Sequence, residues 1–130
     1  MPKRLTIDAL LALPDAEQIT EDILVRDFGV VTVHALSMDV HRDMRVEALR
    51  SGTWDWPRWD ALAMVNGMIE PQVTYDQAVK LRKKAVGVAQ DILDGIWRVS
   101  GLTERGEIRA KAVDDAEISF REGQSEVQDT

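Results

Sequence analysis

Between positions 20 and 34 apolar and polar residues alternate. Ile23 and Val25 are set among Asp22, Leu24 and Arg26, and Val31 and Val33 among Val30, Thr32 and His34. A period of two is that of a strand with one buried face. Asp27-Phe28-Gly29 separates the two runs, and a short loop ending in glycine suits a β-hairpin. A lone hairpin is marginal in water, so one face must pack on other elements.

Elsewhere the period is helical. Thr6 is placed to cap a short helix in which Ile7, Leu10 and Leu11 share a face, with Pro14 as its stop. Residues 15–20 read as a connector. Ser37 reads as an N-cap, and Leu36, Val40, Met44 and Ala48 follow at four-residue steps until Ser51-Gly52. The loop Thr53-Trp54-Asp55-Trp56 leads to Pro57, suited to the first position of a helix. On that helix Trp59, Leu62 and Ala63 share a face, and Gly67 and Pro71 end it. Thr74-Tyr75-Asp76-Gln77 has the capping-box pattern. The longest stripe follows: Leu81, Ala85, Val88, Ile92, Ile96 and Val99, widened by Leu93 and Trp97. Gly87 predicts a bend or break close to it, because glycine costs about 1 kcal/mol against alanine inside a helix. Gly101 supplies the stop. A last, weakly amphipathic helix is expected over residues 104–121 through Ile108, Ala112, Ala116 and Phe120, with a flexible acidic tail over 122–130.

The fold class this pattern predicts is α+β, mainly α: a helical bundle of short helices with one β-hairpin, a single globular domain over residues 1–121. The expected core is Ile23, Val25, Val31, Val33, Leu36, Val40, Met44, Leu62, Leu81, Ile92, Ile96 and Trp97.

Composition narrows the functional classes. The chain has 130 residues and no cysteine, which excludes disulfides and thiolate metal sites. No run approaches the roughly 18 apolar residues of a membrane span. Asp8 and Pro14 interrupt the start, so no signal peptide is expected, and the cytosol is the expected location. The net charge of −7 disfavours nucleic acid as a partner. The densest basic group, Lys80, Arg82, Lys83 and Lys84, is diluted by Asp76 and Asp91.

Candidate chemistry is sparse. His34 and His41 with Asp39 and Asp43 could be imagined around a metal, but a zinc site wants a further firm ligand. Asp114-Asp115 and the pair Asp55 and Asp60 sit in polar contexts, whereas catalytic carboxylates need burial or a charged neighbour. Ser37, Ser100 and Ser119 lack a nucleophile-elbow context, and the glycines form no phosphate loop. No catalytic residue, cofactor or metal is therefore expected. Trp54, Trp56 and Trp59 lie within one short stretch. They read either as core anchors with a loop lid or as a binding hot spot, since tryptophan is enriched in such spots.

The order of these signals, with Gly67-Met68-Ile69-Glu70-Pro71 before Thr74 and with Ile96-Trp97-Arg98-Val99-Ser100-Gly101-Leu102 closing a helix, resembles the tail assembly chaperone family of long-tailed bacteriophages of the siphophage type. The resemblance runs over about residues 5–121, and three clustered tryptophans are not part of it. It implies a non-enzymatic, non-structural assembly factor in the host cytoplasm, absent from the mature virion. Its implied partners are the tape measure protein, kept soluble before enclosure, and the tail tube protein. Self-association stays open, as does a longer frameshifted product. Such a role asks for apolar grooves that accept amphipathic helices. Trp54, Trp56, Met64 and Met68 are the candidate protein-binding residues, with Met38 and Met44 as further adaptable side chains. Two other classes are compatible with the chain: an acidic inhibitor of a basic partner, of antitoxin or DNA-mimic type, and a small enzyme using His34 or His41.

Overall fold

The computed structural model describes residues 3–50 and 52–102; the helix expected over 104–121 and the tail over 122–130 lie outside them. The architecture is α+β and mainly α. Helix α1 (Ile7–Leu11) and a 3-10 turn (Ala16–Gln18) lead into β1 (Thr20–Val25) and β2 (Gly29–His34). Helix α2 (Met38–Ala48) is followed by two short strands, β3 (Leu49–Arg50) and β4 (Thr53–Trp54). Then come α3 (Trp56–Gly67), β5 (Met68–Glu70), α4 (Tyr75–Leu81) and α5 (Val86–Val99).

The hairpin forms in the register the alternation requires, with Ile23 opposite Val31 and Val25 opposite Gly29. Ile23, Val25 and Val33 are buried, Val31 is half-buried, and Leu24 and Val30 are exposed on the other face. On that outer face Thr32 donates to Asp22 across the strands at 2.7 Å. Sequence reasoning missed one partner: β5 pairs antiparallel to β2, completing a three-stranded sheet in the order β1-β2-β5. A three-residue strand has no periodicity of its own to announce it. Its pairing ends at Glu70, and the following Pro71 has no N–H to continue a ladder.

The caps act as their side chains allow. Thr6 accepts from the Ala9 N–H, Ser37 from Val40 and Asp55 from Arg58. Thr74 and Gln77 satisfy each other's backbone in a complete capping box. Pro57 is the second residue of α3 rather than the first, because Asp55, not Trp56, is the cap. The long stripe is broken close to Gly87, as expected: the break runs over residues 82–85, and Gly87 is the second residue of α5. At the far end Gly101 adopts φ 81°. The Gly101 N–H donates to Arg98 and the Leu102 N–H to Trp97 at 2.7 Å, the paired bonds of a Schellman stop.

Helix α3 is the hub. It packs on α2, α4 and α5, and buries Trp59, Ala61, Leu62, Ala63, Met64 and Gly67. A helix covered on several sides needs no polar face. Helix α5 spans between α3 and the sheet, and two glycines let it come close to both. A β-carbon at Gly67 would stand 2.8 Å from Ile96, and one at Gly95 2.5 Å from Ile23. Ile92 and Ile96 are buried as expected, whereas Trp97, Val40 and Leu81 are only half-buried at the margin of the core. Asp60 on α3 bridges Arg82 at 3.2 Å, tying α3 to the break between α4 and α5.

Truncating Ile96 to alanine is expected to cost about 2–5 kcal/mol, because the side chain is fully enclosed; equilibrium urea unfolding measures it. A second expectation concerns Asp60. Burial raises its pKa above the ordinary carboxylate value of 3.8, outweighing the lowering by Arg82. The folded state thus holds that proton to higher pH than the unfolded chain. The group's contribution to stability is present below 3.8 and is lost as pH rises through the folded pKa. Stability of Asp60→Asn relative to the parent, followed by denaturant unfolding from pH 3 to neutrality, should therefore increase with pH.

Candidate functional site

Among the described residues, concave surfaces border the sheet at both ends of β2. The larger, about 470 Å³, opens beside the start of β2 and is almost wholly apolar. Its wall is the hairpin end, Phe28, Gly29 and Val30. Its floor is Val31, Met68, Val88 and Ile92, and its far side is Val73 and Leu81. Lys80 and Lys84 stand on the rim with Gln77, and among the described residues neither lysine enters an ion pair. The groove exists because β5 stops short. It covers Thr32 and Val33 of β2, so among the described residues the edge of residues 29–31 away from β1 has no strand neighbour, and the break between α4 and α5 borders the gap.

The wall is held by one carboxylate. Arg26 adopts the left-handed φ of 52°, which is uncommon for a residue with a side chain. Asp91 on α5 accepts from its backbone N–H at 2.8 Å and from its guanidinium at 3.2 Å. The absence of a side chain at Gly87 makes room for that guanidinium on α5. Gly87, beside the helix break, thus also serves the hairpin turn.

The candidate residues named from sequence are scattered. Met64 and Met68 are buried, at 0% and 4% exposure, so neither side chain is presented to a partner; Met68 contributes only to the groove floor. Met44 is buried too, and only Met38 is exposed among the methionines singled out. Trp54 is buried and Trp56 half-buried. They belong to a continuous aromatic array. Trp54 contacts Trp56 at 5.5 Å and Trp59 at 5.1 Å, and Trp59 stacks on Trp97 at 5.6 Å with the rings 15° apart. All four tryptophans of the chain take part. The array joins the β4 strand to the end of α5, an anchoring role.

The histidines do not converge. His41 lies edge-on to Trp59 at 5.3 Å and to Trp97 at 6.5 Å. His34 lines the second, smaller concavity with Asp15, Glu17, Ser37 and Asn66. Its Nδ1 is 2.7 Å from the Ala35 carbonyl, and the Asn66 amide donates to the Leu62 carbonyl. Among the described residues no group of three or more His, Cys, Asp or Glu side chains could hold a metal ion. No helix of the described residues is long and apolar enough to cross a membrane.

No family model, curated protein or solved structure matches the chain. The candidate site is thus chosen by its geometry: the apolar groove at the hairpin end. Sequence reasoning missed it because its residues come from two distant stretches, 25–31 and 68–92, spread over four elements. The one local signal was Phe28 and Val30, apolar residues at positions where the strand pattern asks for polar ones.

Phe28 and Val30 are 79% and 61% exposed. Phe28→Asp and Val30→Asp are expected to leave stability within about 0.5 kcal/mol of the parent. Met68→Ala should cost about 2–5 kcal/mol. Thermal unfolding of the three variants separates wall from core.

Proposed function

We propose that the chain is a tail assembly chaperone of long-tailed bacteriophages, a non-enzymatic factor acting in the host cytoplasm. In this reading it takes amphipathic helices of the tape measure protein into the groove, keeps that protein soluble, and helps recruit tail tube subunits. The observation that carries the reading is the apolar groove with lysines on its rim. A helix laid in a groove contributes anchors at i, i+3, i+4 and i+7. Val31, Leu81, Val88 and Ile92 offer an apolar bed for such anchors, and Lys80 and Lys84 suit carboxylates on the helix flank. The resemblance of the Gly67–Pro71 and Ser100–Leu102 segments supports the family; the groove supports the mode of binding.

A second reading, an acidic inhibitor of a basic partner, rests on the net charge of −7. Salt separates the two. Ionic attachment weakens steeply as the Debye length shrinks, from about 10 Å at 0.1 M to 3 Å at 1 M, whereas burial in an apolar groove persists.

The test is co-expression with a tape measure protein. The parent chain is expected to raise its soluble fraction and to co-purify with it at 0.1 M and 1 M salt. The double variant Phe28→Asp, Val30→Asp should do neither while remaining folded. Unchanged tape measure solubility with the parent chain rejects the chaperone reading. A complex that dissolves at high salt and ignores the groove variant transfers the protein to the inhibitor class.

A further inference from the structure

The lining of the groove is one-sided in charge. Lys80 and Lys84 are its charged residues, no carboxylate lines it, and among the described residues neither lysine enters an ion pair. An occupant must therefore bring apolar side chains for the bed and carboxylates for the rim. Helix α1 is exposed and apolar, but it follows Lys3 and Arg4 and does not match a lysine rim.

One stretch of the sequence meets both demands. Within residues 103–130, which lie outside the described residues, Val113-Asp114-Asp115-Ala116-Glu117-Ile118-Ser119-Phe120 carries three carboxylates and no basic residue. Val113, Ala116 and Phe120 fall at i, i+3 and i+7, the anchor spacing of a helix laid in a groove. Glu117 stands beside them at i+4, and Phe120 is the one aromatic residue after Trp97. The groove, about 470 Å³, has the size of a cleft for a small ligand. It takes one ring and two small side chains and not a long helix face.

Chain length permits the contact. The described residues end at Leu102, whose N–H donates to the Trp97 carbonyl. Ile92, the groove residue of α5 nearest to that end, lies on the order of 15 Å back along the helix. Residues 103–112 can span on the order of 30 Å, so Val113 reaches the groove with slack.

We propose that residues 113–120 cover the apolar groove of their own chain, with Val113, Ala116 and Phe120 on the bed of Val31, Leu81, Val88 and Ile92 and the carboxylates toward Lys80 and Lys84. The consequence of this cover rests on the reading above, in which the same groove takes a tape measure helix; the cover itself does not. The segment then competes with the client and shields apolar surface until the client arrives. The client's apparent affinity is reduced by the fraction of chains left open.

The experiment uses the full chain. It has no cysteine of its own, so Ser119→Cys carries a single nitroxide spin label. In methyl NMR spectra the strongest broadening is expected at Val31, Leu81 and Val88, with Ile7, Leu10 and Leu11 of α1 spared. Phe120→Asp with Asp114→Lys and Asp115→Lys in the labelled chain should abolish that pattern, while the methyl signals of the enclosed Ile96 report that the fold is kept. Broadening that centres on α1, that fades evenly away from Leu102, or that survives the three substitutions overturns the proposal. So does broadening that passes to isotope-labelled chains mixed with unlabelled spin-labelled ones, which assigns the contact to a second copy. Binding to the tape measure protein reads the consequence. If nine chains in ten are covered, Phe120→Asp should tighten it about tenfold. Groove broadening with client affinity unchanged by Phe120→Asp keeps the cover and rejects the groove as the client site. A parent chain that solubilises the tape measure protein without groove broadening rejects the cover alone.

Discussion

The close seating of α5 on its two neighbours is the constraint from which the rest of the structure follows. Ile96 rests where Gly67 has no side chain, and Ile23 where Gly95 has none. A methyl group at either glycine would push α5 away from α3 or from the sheet, and protein interiors do not absorb such a shift without loss of contact. With α5 in place, its C-terminal end can be tied down. Ser100 accepts from the Leu36 N–H at 2.8 Å and donates to the Ile96 carbonyl at 2.6 Å, and Trp97 stacks on Trp59. With its N-terminal end in place, Asp91 can hold Arg26 and the hairpin turn.

The same placement creates the groove. Helix α5 approaches the sheet closely at Gly95, and begins only at Val86, past the break that follows α4. Strand β5 is too short to cover the start of β2. An apolar cleft with a basic rim is left where two elements end early. The tryptophan array lies at the other end of α5. Tryptophan serves there as a large rigid filler, and the groove is lined by valine, leucine, isoleucine and phenylalanine.

The segments that carry the family resemblance have structural work of their own. Gly67 admits Ile96, Met68–Glu70 forms the third strand, and Thr74 caps α4. Ser100 pins the chain before α2, and Gly101 and Leu102 end α5. In this chain a particular packing needs each of them. They therefore speak to fold more directly than to partner.

The sequence by itself determined the local elements. Period-two alternation placed the hairpin and its buried face, and the caps at Thr6, Ser37 and Thr74 with the stop at Gly101 placed helix ends. These signals are local because the backbone groups they satisfy lie within four residues. The buried stripe through Ile92 and Ile96 was legible for the same reason. Only the tertiary structure decided which apolar residues are spare. Met64 and Phe28 look alike as apolar residues in a chain, yet one is enclosed by α3's neighbours and the other stands exposed at the hairpin turn. That difference depends on contacts between residues far apart in the sequence. The third strand and the groove beside it have the same origin: each is fixed by what packs against it, and not by any pattern of its own.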